Sequence, residues 1–149
     1  MDLYQQLIID HSKRPHRMGL RDPFDAEVHH VNPTCGDEIT LRVDVDGDVV
    51  RDLSYDSLGC SISVASASML AELLTGEDVG HARTVYAAIR HMLTSKGGDP
   101  GDEDVIGDAV ALSGVARYPA RVKCALLSWM ALADAMAQSG IDLTEETHV

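Results

Sequence analysis

Apolar positions recur at two spacings along this chain, and the changes from one to the other mark out its elements. Leu3, Leu7 and Ile8 share one face of a short helix over Asp2–His11, which ends before Pro15. Alternation then takes over. Ala26–Val31 reads as a first strand, and Glu38–Asp46 as a second with Ile39, Leu41, Val43 and Val45 on one side. Asp46-Gly47 is a two-residue hairpin signal, and Val49–Tyr55 is the third strand. From Ser61 the spacing is helical. Ile62, Ala65, Met69 and Leu73 share a face through Leu74, and Thr75-Gly76 stops the helix. Val79, Ala82, Tyr86, Ile89 and Leu93 predict another helix over Asp78–Leu93.

Ser95–Asp104 is rich in Gly, Pro and acids and reads as a solvated loop, followed by a short helical piece over Val105–Leu112. Pro119 suits the first position of a last helix, where its missing N–H costs nothing; Val122, Leu126, Trp129, Ala133 and Met136 carry that helix to Gly140. The tail Ile141–Val149 is expected to fray. The pattern predicts an α+β fold, a small three-stranded antiparallel sheet packed against helices. It is one domain spanning 1–149, with a Gly/Asp-rich insertion at about 95–108, because too little chain follows the insertion to build another core.

Composition sharpens this in three respects. Aromatic residues make up only 4% of the chain, so the core is expected to be aliphatic. The formal net charge of −12 argues against nucleic acid and anionic membrane surfaces, both polyanions; it fits plain solvation or a partner with a basic face. Against that background Lys13-Arg14-Pro15-His16-Arg17 stands out, either as charge complementing a helix C-terminus or as a docking patch. The first ten residues hold no basic n-region, and no apolar run approaches the ~20 residues of a membrane helix, so a cytoplasmic location is expected. An odd count of 3 cysteines suits a metal or catalytic role better than a disulfide framework.

The cysteines carry the chemistry. Cys35 lies in the turn Asn32-Pro33-Thr34-Cys35-Gly36-Asp37 between the first two strands, Cys60 follows the third strand, and Cys124 lies early in the last helix. In an antiparallel meander the first turn and the end of the third strand fall at one edge, so Cys35, Asp37 and Cys60 should meet. Cys60 should also stand at a helix N-terminus, where free N–H groups favour a thiolate. With Cys124 they make a four-ligand set of the kind zinc takes in tetrahedral geometry. A shell so filled keeps no position for water, which argues against a hydrolase and leaves a structural zinc or a zinc that restrains reactive thiols. The histidines offer no rival motif. His29 and His30 are adjacent on a strand and point to opposite faces, and His11, His16, His81 and His91 have no ligand-like spacing to the cysteines. No phosphate-binding glycine loop is present, and the serines of 61–68 have no base beside them.

Asn32-Pro33-Thr34-Cys35-Gly36-Asp37, Gly59-Cys60-Ser61-Ile62-Ser63 and Arg121-Val122-Lys123-Cys124, in this order and spacing, resemble the iron–sulfur assembly scaffold superfamily, and within it the SufU branch. The resemblance covers nearly the whole chain. Lys123 stands where the IscU branch has histidine, an insertion separates the second and third cysteines, and Tyr118-Pro119-Ala120-Arg121-Val122-Lys123 replaces that branch's Leu-Pro-Pro-Val-Lys chaperone motif. The resemblance implies a zinc-dependent sulfurtransferase that accepts persulfide sulfur from a SufS-type cysteine desulfurase and serves downstream Suf scaffold components. It implies zinc on Cys35, Asp37, Cys60 and Cys124, with Cys35 as sulfur acceptor, released from the metal when a desulfurase histidine takes its place. Arg121, one helical turn before Cys124, is a candidate to offset the site's negative charge. The rival implied by the same resemblance is an IscU-type scaffold holding a transient Fe–S cluster on the same thiols.

Overall fold

The computed structural model describes residues 2–144. Three strands, β1 (Ala26–Asn32), β2 (Asp37–Asp46) and β3 (Val49–Leu58), form one antiparallel sheet in the order β1-β2-β3. The helices are α1 (Leu3–Lys13), α2 (Ser61–Leu74), α3 (Val79–Thr94), the single turn α4 (Glu103–Ile106) and α5 (Pro119–Gln138), with a 3₁₀ helix over Gly107–Arg117 between α4 and α5. This is the expected α+β arrangement of a small antiparallel sheet against helices.

Alternation does the work in the sheet. Ile39, Leu41 and Val43 of β2 and Leu53 and Tyr55 of β3 are buried, while Glu38 and Asp56 face out. α5 lies against β1, β2 and α2 and covers the inner face. Trp129 of α5 is fully buried, so its indole N–H needs a partner. It donates to Ser66 Oγ at 3.0 Å, and Ser66 in turn donates to the Ala125 carbonyl at 2.6 Å.

Two segments differ from the sequence pattern for identifiable reasons. α2 is a central helix rather than one with a single apolar face: Ser63, Ser66 and Ser68 are buried beside Ala65, Ala67, Met69 and Leu70, while Ile62 and Leu73 are only partly buried. Small hydroxyls let it approach its neighbours closely, and each finds a partner. The short helical piece expected at Val105–Leu112 becomes one α-turn followed by eleven residues of 3₁₀ helix. Ile106, Ala109, Leu112 and Val115 recur at every third position, the 3₁₀ period, and all four are buried. The tail expected to fray lies mostly outside the described residues; the portion inside them holds Leu143, which is buried. Among the described residues no helix is long and apolar enough to cross a membrane.

Ser66→Ala strips the buried Trp129 N–H of its acceptor. Urea denaturation should show a loss of about 1–3 kcal/mol, the cost of a buried unsatisfied polar group; an unchanged midpoint would mean that the indole finds another partner.

Candidate metal centre

The turn joining β1 to β2 is built around Asn32. Its carbonyl accepts the N–H groups of Cys35 and Gly36 at 3.2 and 2.8 Å, and its side-chain oxygen accepts the Thr34 N–H at 3.2 Å. Gly36 sits at φ 72°, the left-handed region that a side chain disfavours. The Asn32 amide also donates toward Cys35 Sγ, at 3.5 Å. Cys35 therefore stands on a tight turn, exposed, with its sulfur held over the turn by Asn32.

Asp37 opens β2 opposite Asn32 and is only 1% exposed. β3 ends at Leu58, opposite Glu38, which delivers Gly59 and Cys60 to the same edge. The Cys60 N–H donates to Asp37 Oδ1 at 2.9 Å, and the Cys60 thiol lies 3.5 Å from Asp37 Oδ2. Gly59 makes this approach possible: a Cβ there would run into the Asp37 carboxylate. Cys60 is the N-cap residue of α2, with extended φ and ψ and no side-chain cap. Its backbone reaches the Asp37 oxygen, and its sulfur is exposed.

Cys124 arrives from the far end of the chain. It is buried in the second turn of α5, with its carbonyl 3.4 Å from the Ser63 hydroxyl of α2. Its sulfur is 3.1 Å from Cys35 Sγ and 3.6 Å from the Ala120 carbonyl. Burial pushes the Cys124 thiol far above the ordinary cysteine range, and neighbouring Cys35, Asp37 and Cys60 push it the same way.

The four residues picked out in the sequence thus converge. One donor atom each from Cys35, Asp37 and Cys124 lie within 4.8 Å of one another. Cys60 stands outside that mutual set, yet it touches Asp37 and acts electrostatically on Cys124. Three sulfurs and a buried carboxylate are the soft and borderline donors that zinc takes, and the crowding that keeps Cys124 protonated without a cation is relieved by one. Arg121 is placed differently. Its guanidinium lies 5.0 Å over the Tyr118 ring and lines a cavity with Arg117 and Ile62; among the described residues it forms no ion pair with Asp37.

Sequence reasoning passed over Asn32 and Gly59. An Asn two residues before Thr34 in an Asn-Pro-Thr turn signals a side-chain-capped turn, and a glycine directly before a candidate ligand signals a close approach. The histidines are engaged elsewhere: His29 contacts Thr40, His30 contacts Asp134, and His91 contacts Asp99.

The profile of the NifU-like N-terminal domain matches residues 3–125. The chain belongs to this family. Among its relatives is the zinc-dependent sulfurtransferase SufU of Bacillus subtilis (strain 168), 43% identical over 91% of this chain and 90% of the relative. The iron–sulfur cluster assembly scaffold protein IscU of Streptococcus pyogenes serotype M1 is 39% identical over 92% of this chain and 84% of its own length. A crystal structure described as that of an iron–sulfur cluster assembly scaffold protein for the SUF system (FiSufU), from Fervidobacterium islandicum AW-1, superposes with a TM-score of 0.79 at 33% identity, covering 88% of this chain and 94% of that one.

Gly59→Ala should leave the fold intact but push the Asp37 carboxylate out of position. Competition with a chromophoric chelator should show zinc affinity reduced about 10–100-fold, the scale seen when support for a ligand is lost; unchanged affinity would mean that Asp37 is not a ligand.

Proposed function

We propose that this chain is a zinc-dependent sulfurtransferase that accepts persulfide sulfur from a SufS-type cysteine desulfurase for iron–sulfur cluster assembly in the cytoplasm. The observation that carries the reading is the division within the cluster. Asp37 and Cys124 are buried and fixed, while Cys35 is exposed on a turn beside them. The likeness to the Bacillus subtilis sulfurtransferase supports it.

Cys35, Asp37, Cys60 and Cys124 would hold the zinc, which when bound supplies charge that keeps the thiols deprotonated and restrained. Cys60 and Cys124 are anchored by helices. Cys35 is anchored by no helix, only by its turn, the Asn32 amide and the Cys124 sulfur, so it is the ligand that moves at least cost. Its thiolate attacks the outer sulfur of the donor persulfide. A new S–S bond forms on Cys35, the donor's S–S bond breaks, and the donor cysteine leaves as a thiolate. The Asn32 amide, aimed at the Cys35 sulfur, orients it for this attack.

Val31, Leu58 and Tyr118 are exposed apolar residues near the ligand-bearing segments, and they offer an apolar rim to a docking desulfurase. Arg121, stacked on Tyr118, adds a cation to that rim rather than to the buried site. Sulfur would pass onward to downstream Suf scaffold components.

The freshly purified protein should be colourless, carry about one zinc per chain, and raise the turnover of a SufS-type desulfurase. Cys35→Ser should remain folded with metal yet accept no sulfur, read by mass spectrometry of the persulfide. A brown, iron-loaded protein whose cluster forms on the same thiols would replace this reading with that of a scaffold.

A further inference from the structure

A second group of ligand-type side chains assembles away from the thiols, where α1, the loop after it, α2 and the 3₁₀ helix meet. One donor atom each from His11, His16 and Glu72 lie within 4.8 Å of one another. His16 Nδ1 is 2.5 Å from Glu72 Oε2, and His11 Nε2 is 3.9 Å from the same oxygen. Asp108 of the 3₁₀ helix approaches His11 Nε2 at 3.0 Å and offers a fourth donor.

The anchor of the group is built into the core. His11 is 3% exposed, and its Nδ1 lies 2.7 Å from the hydroxyl of fully buried Ser68. That hydroxyl also accepts the His16 backbone N–H at 2.8 Å, so a single serine orients one ring and the chain that carries the other. The two rings stand 4.6 Å apart. This is the outer support that ligating histidines ordinarily have: one nitrogen held by the protein and the other turned toward the ion. Glu72 Oε2 is approached by two imidazole nitrogens, and His11 Nε2 by two carboxylates. One proton on each ring pairs His16 with Glu72 and His11 with Asp108; a divalent cation would instead draw both imidazole nitrogens and both carboxylates to a single centre.

His11, His16 and Asp108 open on a cavity of about 550 Å³, also lined by Asp10, Lys13 and Arg14. The two cations of that wall are exposed, so their charged ends can turn into water, and Asp10 opposes them. His16, Glu72 and Asp108 are each about half exposed on their side chains, at 49%, 47% and 43%, so they can adjust around an ion entering from solvent.

We propose that His11, His16, Glu72 and Asp108 form a second metal site, which takes a first-row divalent cation of zinc, cobalt or ferrous type. Two imidazoles and two carboxylates suit these borderline ions better than magnesium or calcium, which prefer an all-oxygen shell. The site contains no thiolate, so its chemistry differs from that of the cysteine cluster. An ion there would tie together three regions distant in sequence: the end of α1 with its following loop, α2 and the 3₁₀ helix.

The test uses the full-length protein loaded with one equivalent of zinc, which the thiol cluster takes first, and then titrated with Co²⁺ while visible absorption is followed. One further equivalent of Co²⁺ should bind, with d–d bands and no thiolate-to-cobalt charge transfer. His16→Ala and Glu72→Gln, chosen because both side chains are half exposed and need not affect folding, should each weaken that second equivalent at least tenfold. A single metal per chain would overturn the proposal. So would a second cobalt whose spectrum carries thiolate bands, or one whose affinity neither variant changes.

Discussion

The thiol cluster depends on one buried carboxylate. Asp37 is almost wholly removed from water, and a carboxylate so placed is costly unless it is hydrogen-bonded and its charge is met. One backbone donor reaches it, the Cys60 N–H at the start of α2, where the helix also presents the positive end of its dipole. That contact exists because Gly59 has no side chain to hold β3 and α2 away. A cation shared with three sulfurs supplies the compensation that one N–H does not. The residues that would bind the metal are also those that close the edge of the sheet, so metal binding there would be coupled to local folding.

From that constraint follows the division of labour among the thiols. Cys124 is fixed by α5, which lies across β1, β2 and α2, and Cys60 is fixed by the Asp37 contact. Cys35 rests on a four-residue link whose main internal ties are made by Asn32. In the proposed sulfurtransferase, a site with two rigid sulfurs, a rigid carboxylate and one sulfur on a turn would release one particular ligand. Such an arrangement serves group transfer better than it serves pure structural support, which would gain from four equally rigid ligands.

Much of this was legible in the chain. Strict alternation at Ile39, Leu41, Val43 and Val45, with the Asp46-Gly47 turn, placed the meander, and meander topology alone brought Cys35, Asp37 and Cys60 to one edge. Cys124 was within reach once α5 was seen to begin at Pro119. The end of β3 was not legible: in its last turn toward the site Ser57 is buried and Leu58 is 66% exposed, so the polarity of the pattern is inverted while the pairing with β2 continues. Nor was the central position of α2, because buried serines look like surface residues until their partners are known. The 3₁₀ segment escaped for a different reason: Ala109, Val110, Ala111 and Leu112 form an unbroken apolar run, all of it buried, which marks no single face and so favours neither period. His11 was readable only as a surface or satisfied histidine, because its partners Ser68 and Asp108 lie far along the sequence.

α2 links the two ligand clusters physically. Cys60 caps its first turn and Glu72 stands near its last, so a rise of 1.5 Å per residue over twelve residues puts them about 18 Å apart. That distance is too great for one ion to serve both, and direct charge interaction across it is weak at physiological ionic strength. Between them the helix is held by buried serines: Ser63 to the Cys124 carbonyl, Ser66 to Ala125 and Trp129, and Ser68 to His11. Each serine ties α2 to an element that itself carries a ligand. An ion at one end that shifted α2 along its axis would therefore strain these bonds in register, so any influence of one cluster on the other has to pass through displacement of this helix.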